Sequence, residues 1–263
     1  MNPERPIGRR TLRLSLGPSR AGFSKQMRRS LALMLAALVV VALVVGAVLV
    51  GSKGHSPIRT VVIPAADRNA SPSLLRSAEA IGFEPVGEPG AGEVESRPLS
   101  EVPPSEPGLL APGTKAPAFS LSTPPGAKVT LASLRGKVVL LEFFATWCPH
   151  CASEAPHLKS LFASLPHSRY AFVAVNGDSE TAPSVLAYHI YFGFPFPAVL
   201  DPGGKAGSFH HHGSRGTVSL AYRVPSYPTF YVLDAKGGVA WAVTGEQPDG
   251  VLSAALHRAA TRA

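Results

Sequence analysis

Two kinds of apolar run divide the chain. Residues 31–50 (LALMLAALVVVALVVGAVLV) form one unbroken stretch without a charged or strongly polar side chain. As a helix it would rise about 1.5 Å per residue and span roughly 30 Å, the thickness of a bilayer's hydrocarbon core. The later runs are shorter and alternate with longer mixed segments. Residues 137–144 (KVVLLEFF) are β-branched-rich and, after Lys137, broken only by Glu142, which predicts a central buried strand. Residues 170–176 (YAFVAVN) predict a second. Helices are expected from 148–149 to about 165 and over 182–192. An entry segment at 118–121 and a strand at 128–131 precede these, and a short strand at 197–200 and a loop-rich stretch at 201–216 follow. Strands at 229–234 and 239–244, joined by Ala235-Lys236-Gly237-Gly238, read as a hairpin. A helix over 249–262, with Asp249 near its start, closes the chain. Strands alternating with helices, then a hairpin and a helix, predict an α/β fold with a mixed central sheet flanked by helices. No internal repeat is present.

Charge gives the first run its orientation. The 263 residues carry a formal net charge of +8, which invites a nucleic-acid reading. Residues 1–30, however, hold eight Lys or Arg against one acid, Glu4. A basic tail before the apolar run and mixed-sign sequence after it predict a transmembrane helix over 31–50. Residues 1–30 are then a cytoplasmic tail, and the rest of the chain is extracytoplasmic at the cell membrane. The alternative is a cleaved signal peptide, whose apolar core usually runs about 7–15 residues and ends at a small-x-small site. Residues 46–52 offer no convincing site, and Arg28-Arg29-Ser30-Leu31 is only faintly similar to a twin-arginine signal. The remaining charges nearly balance, twelve basic and eight acidic over 113–263 against five basic and eight acidic over 51–112. Nucleic-acid binding loses its support.

Residues 51–112 hold ten Pro, seven Gly and a single aromatic, Phe83. Such a composition buries too little apolar surface to offset its ordering entropy. A flexible Pro/Gly-rich linker is expected, with a short helix near 73–81. Eighteen of the twenty aromatics fall in 113–263, which predicts the folded domain there.

The two cysteines lie in Trp147-Cys148-Pro149-His150-Cys151, between a buried strand and a helix start. Spacing of two residues across a first helical turn brings both sulfurs within reach of each other. Helical N–H groups there stabilise a thiolate, the reactive form. Cys148 is expected as the exposed nucleophile and Cys151 as the buried resolving thiol, so that exchange proceeds through a mixed disulfide. Three other readings compete. A structural disulfide closing so short a loop would constrain the unfolded chain little. A zinc site would need two further ligands. Two buried free thiols would sit poorly in an oxidising compartment.

Five segments, in this order and spacing, give the chain a resemblance to the thioredoxin superfamily, nearest its membrane-anchored TlpA/ResA/DsbE-like branch. They are Ala116-Pro117-Ala118-Phe119-Ser120-Leu121, Leu134-Arg135-Gly136-Lys137, Phe144 to Cys151, Val224-Pro225-Ser226-Tyr227-Pro228-Thr229, and Leu233-Asp234-Ala235-Lys236-Gly237. The resemblance implies a thioredoxin-like domain at 113–263 that exchanges disulfides with protein substrates, using the Cys148–Cys151 disulfide and neither metal nor other cofactor. It implies a cis peptide before Pro228, with Trp147, Tyr227 and Pro228 facing the substrate, and a kink at Pro156. It gives Glu142 and Glu154 proton-transfer roles toward Cys151, and Pro149 and His150 a role in setting the potential. Pro-His is also the pair of DsbA, an oxidant, whereas the branch as a whole reduces specific thiols, often of apocytochrome c. A reductant in cytochrome c biogenesis, fed by a membrane reductase of the DsbD/CcdA kind, is the favoured expectation. A thiol oxidase is the alternative. A copper-binding assembly factor is a third reading, because His210-His211-His212 lies in a Gly-rich stretch longer than in typical relatives.

Overall fold

The paired strands are built from the runs that alternate or stay apolar, and each begins within a residue or two of its expected place. The computed structural model describes residues 65–85, 102–203 and 215–262. The expected tail, the membrane helix at 31–50 and His210–His212 all lie outside these residues. Among the described residues no helix is long and apolar enough to cross a membrane. All of them fall within one unit, Thr60–Ala263.

Among the described residues seven strands form one sheet: β1 (Ser120–Ser122), β2 (Lys128–Thr130), β3 (Val138–Phe144), β4 (Tyr170–Asn176), β5 (Ala198–Leu200), β6 (Thr229–Leu233) and β7 (Val239–Thr244). Their order is β2-β1-β5-β4-β3-β6-β7. Strand β3 runs parallel to β4 and antiparallel to β6, which makes the sheet mixed. Every residue of β3 is buried, as a strand covered on both faces requires. Its alternation sends Val138, Leu140 and Phe144 to one core layer and Val139, Leu141 and Phe143 to the other. By the same parity Glu142 enters the first layer, which also holds both cysteines.

The described residues form five α-helices, α1 (Pro72–Ile81), α2 (Pro149–Ser164), α3 (Ala182–Phe192), α4 (Thr217–Ala221) and α5 (Asp249–Thr261), of which α1 packs on α3. Helix α3 starts at the Thr181 hydroxyl, which accepts the Ser184 N–H. Pro156 lies inside α2 and cannot donate to the preceding turn. The short α4 has no counterpart in the sequence pattern. Its first N–H groups, of Val218 and Ser219, donate to the buried Asp201 carboxylate at 3.0 and 2.7 Å.

The short helix expected near 73–81 is present as α1, whereas the flexible linker expected around it is corrected over the rest of 65–85 and over 102–112, which are folded onto the domain. Helix α1 begins at Ser71, whose hydroxyl accepts the Leu74 N–H, and ends at Gly82 in the left-handed region. It buries Ala78 beside Leu186 and Ala187 of α3. Phe83 then packs edge-on against Tyr188 and Tyr191, with ring centroids 5.3 Å away in each case. Asp67, fully buried, hydrogen-bonds Nδ1 of the equally buried His189, whose Nε2 meets the Phe196 carbonyl at 2.7 Å. Further along, Glu106 donates its N–H to the Ala242 carbonyl at 3.0 Å, and its carboxylate accepts the Thr244 N–H at 2.8 Å. The Trp241 indole donates to Pro103 at 2.8 Å. This strap covers edge strand β7, and Val102, Leu109 and Leu110 are buried with it. A mean taken over 62 residues hides these few well-placed apolar side chains.

Candidate active site

Strand β3 delivers the chain through Ala145-Thr146-Trp147 to Cys148, which stands as the N-cap of α2 in extended conformation, with Pro149 opening the helix. The Cys148 sulfur accepts the Cys151 N–H at 3.2 Å and lies 3.5 Å from the Tyr227 carbonyl. The peptide between Tyr227 and Pro228 is cis, as the resemblance implied. One expectation needs correction: Cys148 is only 3% exposed, not an open nucleophile. Its sulfur tucks under the Tyr227 carbonyl as well as capping the helix.

The two thiols differ sharply. The Cys151 thiol, as a donor to the Cys148 sulfur, is the main reason Cys148 sits below the ordinary thiol range. Burial opposes this, while the Cys151 N–H and the His150 charge assist it. Cys151 is pushed well above that range, chiefly by burial, then by its bond to Cys148 and the charges of Cys148 and Glu142.

Behind the cysteines, Glu142 is 2% exposed, and neither of its oxygens has a hydrogen-bond partner among the described residues. Burial, then the charges of Glu154 and Cys148, push its carboxyl well above the usual carboxylate range. Glu154, one helical turn beyond Cys151, is 1% exposed and accepts the Gln247 N–H at 3.1 Å. Both acids are therefore buried beside the thiols, and Glu154 is not a solvated surface group of the helix.

Four residues around this centre have no counterpart in the sequence reading. Asp178 accepts the Trp147 indole N–H at 2.8 Å. Glu180 accepts the Thr146 N–H at 2.7 Å and hydrogen-bonds the Thr146 hydroxyl and the Asn176 amide. Glu246 meets His150 Nδ1 at 2.5 Å. Tyr188 of α3 packs at a tilt of 32° against Phe144 with centroids 4.9 Å apart, and its phenol is raised by burial and by the charges of Glu142 and Cys151. The ring of Trp147 packs edge-on to Tyr227 at 6.2 Å, so the residues expected to face substrate do meet. Among the described residues no group of three or more His, Cys, Asp or Glu is arranged to hold a metal ion.

The arrangement provides a nucleophile with stabilised charge, a protonated resolving thiol and two buried carboxyls near it. Known proteins agree with this chemistry. A model of the AhpC/TSA family matches residues 112–242. The thioredoxin-like protein YneN of Bacillus subtilis is 37% identical over 127 residues, 48% of this chain and 66% of its own length. The thiol-disulfide oxidoreductase ResA of the same organism is 31% identical over 144 residues, 54% of this chain and 73% of its own length. ResA of Geobacillus kaustophilus is 32% identical over 136 residues, 52% and 71% of the two chains.

Proposed function

Because the chain belongs to the thioredoxin-like AhpC/TSA family and, within it, resembles the ResA-type thiol-disulfide oxidoreductases, we propose that it reduces protein disulfides outside the cytoplasm. In this reading it is anchored by residues 31–50 and acts on substrates such as apocytochrome c. No cofactor is needed beyond the Cys148–Cys151 pair, and a membrane reductase of the DsbD/CcdA kind returns the electrons.

The observation that supports the reductive direction is the buried Glu142, whose charge and that of the Cys148 thiolate oppose each other and so disfavour the dithiol form. Reduction starts when the Cys148 thiolate attacks a substrate disulfide. A Cys148–substrate bond forms, the substrate S–S bond breaks, and the departing thiolate takes a proton from solvent. Cys151 must then lose its proton before its sulfur can attack Cys148. Glu142, itself shifted upward, is a far stronger base than an ordinary carboxylate. The Cys148 charge that helps hold a proton on Glu142 vanishes once Cys148 is in a mixed disulfide. Glu142 then passes more readily into the carboxylate form that accepts the Cys151 proton. Attack by Cys151 closes the Cys148–Cys151 disulfide and releases the second substrate thiolate, so two electrons have passed to the substrate. Glu154, held by Gln247, raises the basicity of Glu142 through its charge.

A second reading, a thiol oxidase, is favoured by the His150 charge that lowers Cys148. A stabilised thiolate stabilises the reduced enzyme and makes the pair more oxidising.

The Cys151→Ser variant of the full chain, expressed in a membrane, tests the proposal by accumulating mixed disulfides at Cys148. Adducts with secreted proteins carrying Cys-x-x-Cys-His haem-attachment segments, reachable by a membrane-impermeant thiol reagent only after reductant is added, are the expected result. Adducts formed only with cytoplasmic proteins, or none at all, would contradict it.

A further inference from the structure

Glu246 stands outside the exchange motif, in the turn that leaves β7. Both of its neighbours are pinned across the cleft. Gly245 donates its N–H to the Pro228 carbonyl at 2.8 Å, and Gln247 donates its N–H to Glu154 at 3.1 Å. The Gln247 side-chain amide returns to the carbonyls of Thr244 and Gly245 at 3.2 and 3.3 Å. Gly245 has φ of +79°, a left-handed value that favours glycine, so the turn is built for this residue. A residue between two anchored neighbours presents its side chain with little backbone freedom left to lose.

That side chain reaches the first turn of α2. Its Oε1 lies 2.5 Å from His150 Nδ1, and its Oε2 accepts the Ser153 hydroxyl at 3.4 Å. A carboxylate can only accept, so the ring proton facing it sits on Nδ1. We propose that Glu246 is a positioning residue of the exchange reaction: it holds the His150 imidazole against the start of α2, where the ring acts on the Cys148 sulfur. The inference rests on exchange at Cys148 and is independent of its direction.

A carboxylate at this place has two opposed effects on Cys148. Through His150 it favours the thiolate, whereas its own charge acting directly would disfavour it. Other titratable groups on the elements packed here include Cys148, Cys151 and Glu154 of α2, Glu142 of β3 and Asp178, which bonds Trp147. The His150 charge lowers Cys148, and Glu246 bonds that ring directly, so the indirect effect is expected to be the larger. The His150 and Glu246 side chains are 67% and 43% exposed, so solvent screens the pair and its effect is modest, about two- to fivefold.

The test uses the reduced full chain and the rate of Cys148 alkylation by iodoacetamide near pH 6.5, about two units below the range of a free thiol. Wild type is compared with Glu246→Gln, Glu246→Asp, His150→Gln and the Glu246→Gln/His150→Gln double variant. Glu246→Gln is expected to slow alkylation about two- to fivefold, Glu246→Asp to keep part of the wild-type rate, and the double variant to match His150→Gln. An unchanged or faster rate in Glu246→Gln, or the same slowing in the His150→Gln background, would overturn the proposal. Reaction of the wild type with the disulfide probe 5,5′-dithiobis(2-nitrobenzoate) separates the two levels of the account. If the wild type does not exchange, the underlying reaction fails. If it exchanges and Glu246→Gln alkylates at the same rate, only the role of Glu246 fails.

Discussion

Cys148 and Cys151 are separated by one helical turn, yet their surroundings act on them in opposite senses. Cys148 collects donors and is lowered, while Cys151 is raised, chiefly by burial and further by Cys148 and the Glu142 charge. Alkylation of the reduced protein as a function of pH should show it. Cys148 is expected to react with a midpoint below that of a free thiol, about 8.5, and Cys151 to stay protected well above it. Equal midpoints for the two sulfurs would contradict the assignment of nucleophile and resolving thiol. The Cys-Pro-His-Cys spacing made both sulfurs legible, and the run 137–144 placed Glu142 in a buried strand. Asp178 and Glu246 were not legible. They reach Trp147 and His150 from 31 and 96 positions away, on loops after other strands, and no local pattern marks an acid for such a contact.

At the scale of elements, β3, β4, β6, β7 and the helices α2, α3 and α5 were readable because each is long or strongly apolar, whereas the five-residue α4 was not. The correction at 65–85 and 102–112 has a common cause. Apart from α1, whose place near 73–81 was legible, those segments are ordered by a few long-range anchors, Phe83, Asp67 and Trp241 among them, rather than by a periodic run. Asp67 is the most consequential, since it ties the segment before α1 to His189 in the interior. Replacing it with Ala leaves a buried imidazole without that hydrogen-bond partner, a change that typically costs about 1–3 kcal/mol. The loss should be local. Hydrogen exchange and protease cleavage are expected to increase over residues 65–85 in Asp67→Ala, while the sheet keeps its protection. Unchanged protection of α1 would show that Phe83 and Ala78 hold the segment unaided.

For the whole molecule, sheet, strap and helices converge on one exchange centre at the start of α2, and the account stands or falls on the direction in which that centre moves electrons. Two features oppose each other. The charge of a buried Glu142 carboxylate, backed by Glu154, opposes the Cys148 thiolate and so disfavours the dithiol, whereas His150 stabilises that thiolate and the dithiol. Because His150 and Glu246 are open to solvent and the two acids are buried, the acids should dominate. The reduction potential of the Cys148–Cys151 pair, measured in the full chain against a glutathione or dithiothreitol redox buffer, weighs these forces in one number. A value near that of thioredoxin, about −270 mV, is expected for a reductant, and a value near that of DsbA, about −120 mV, would contradict it.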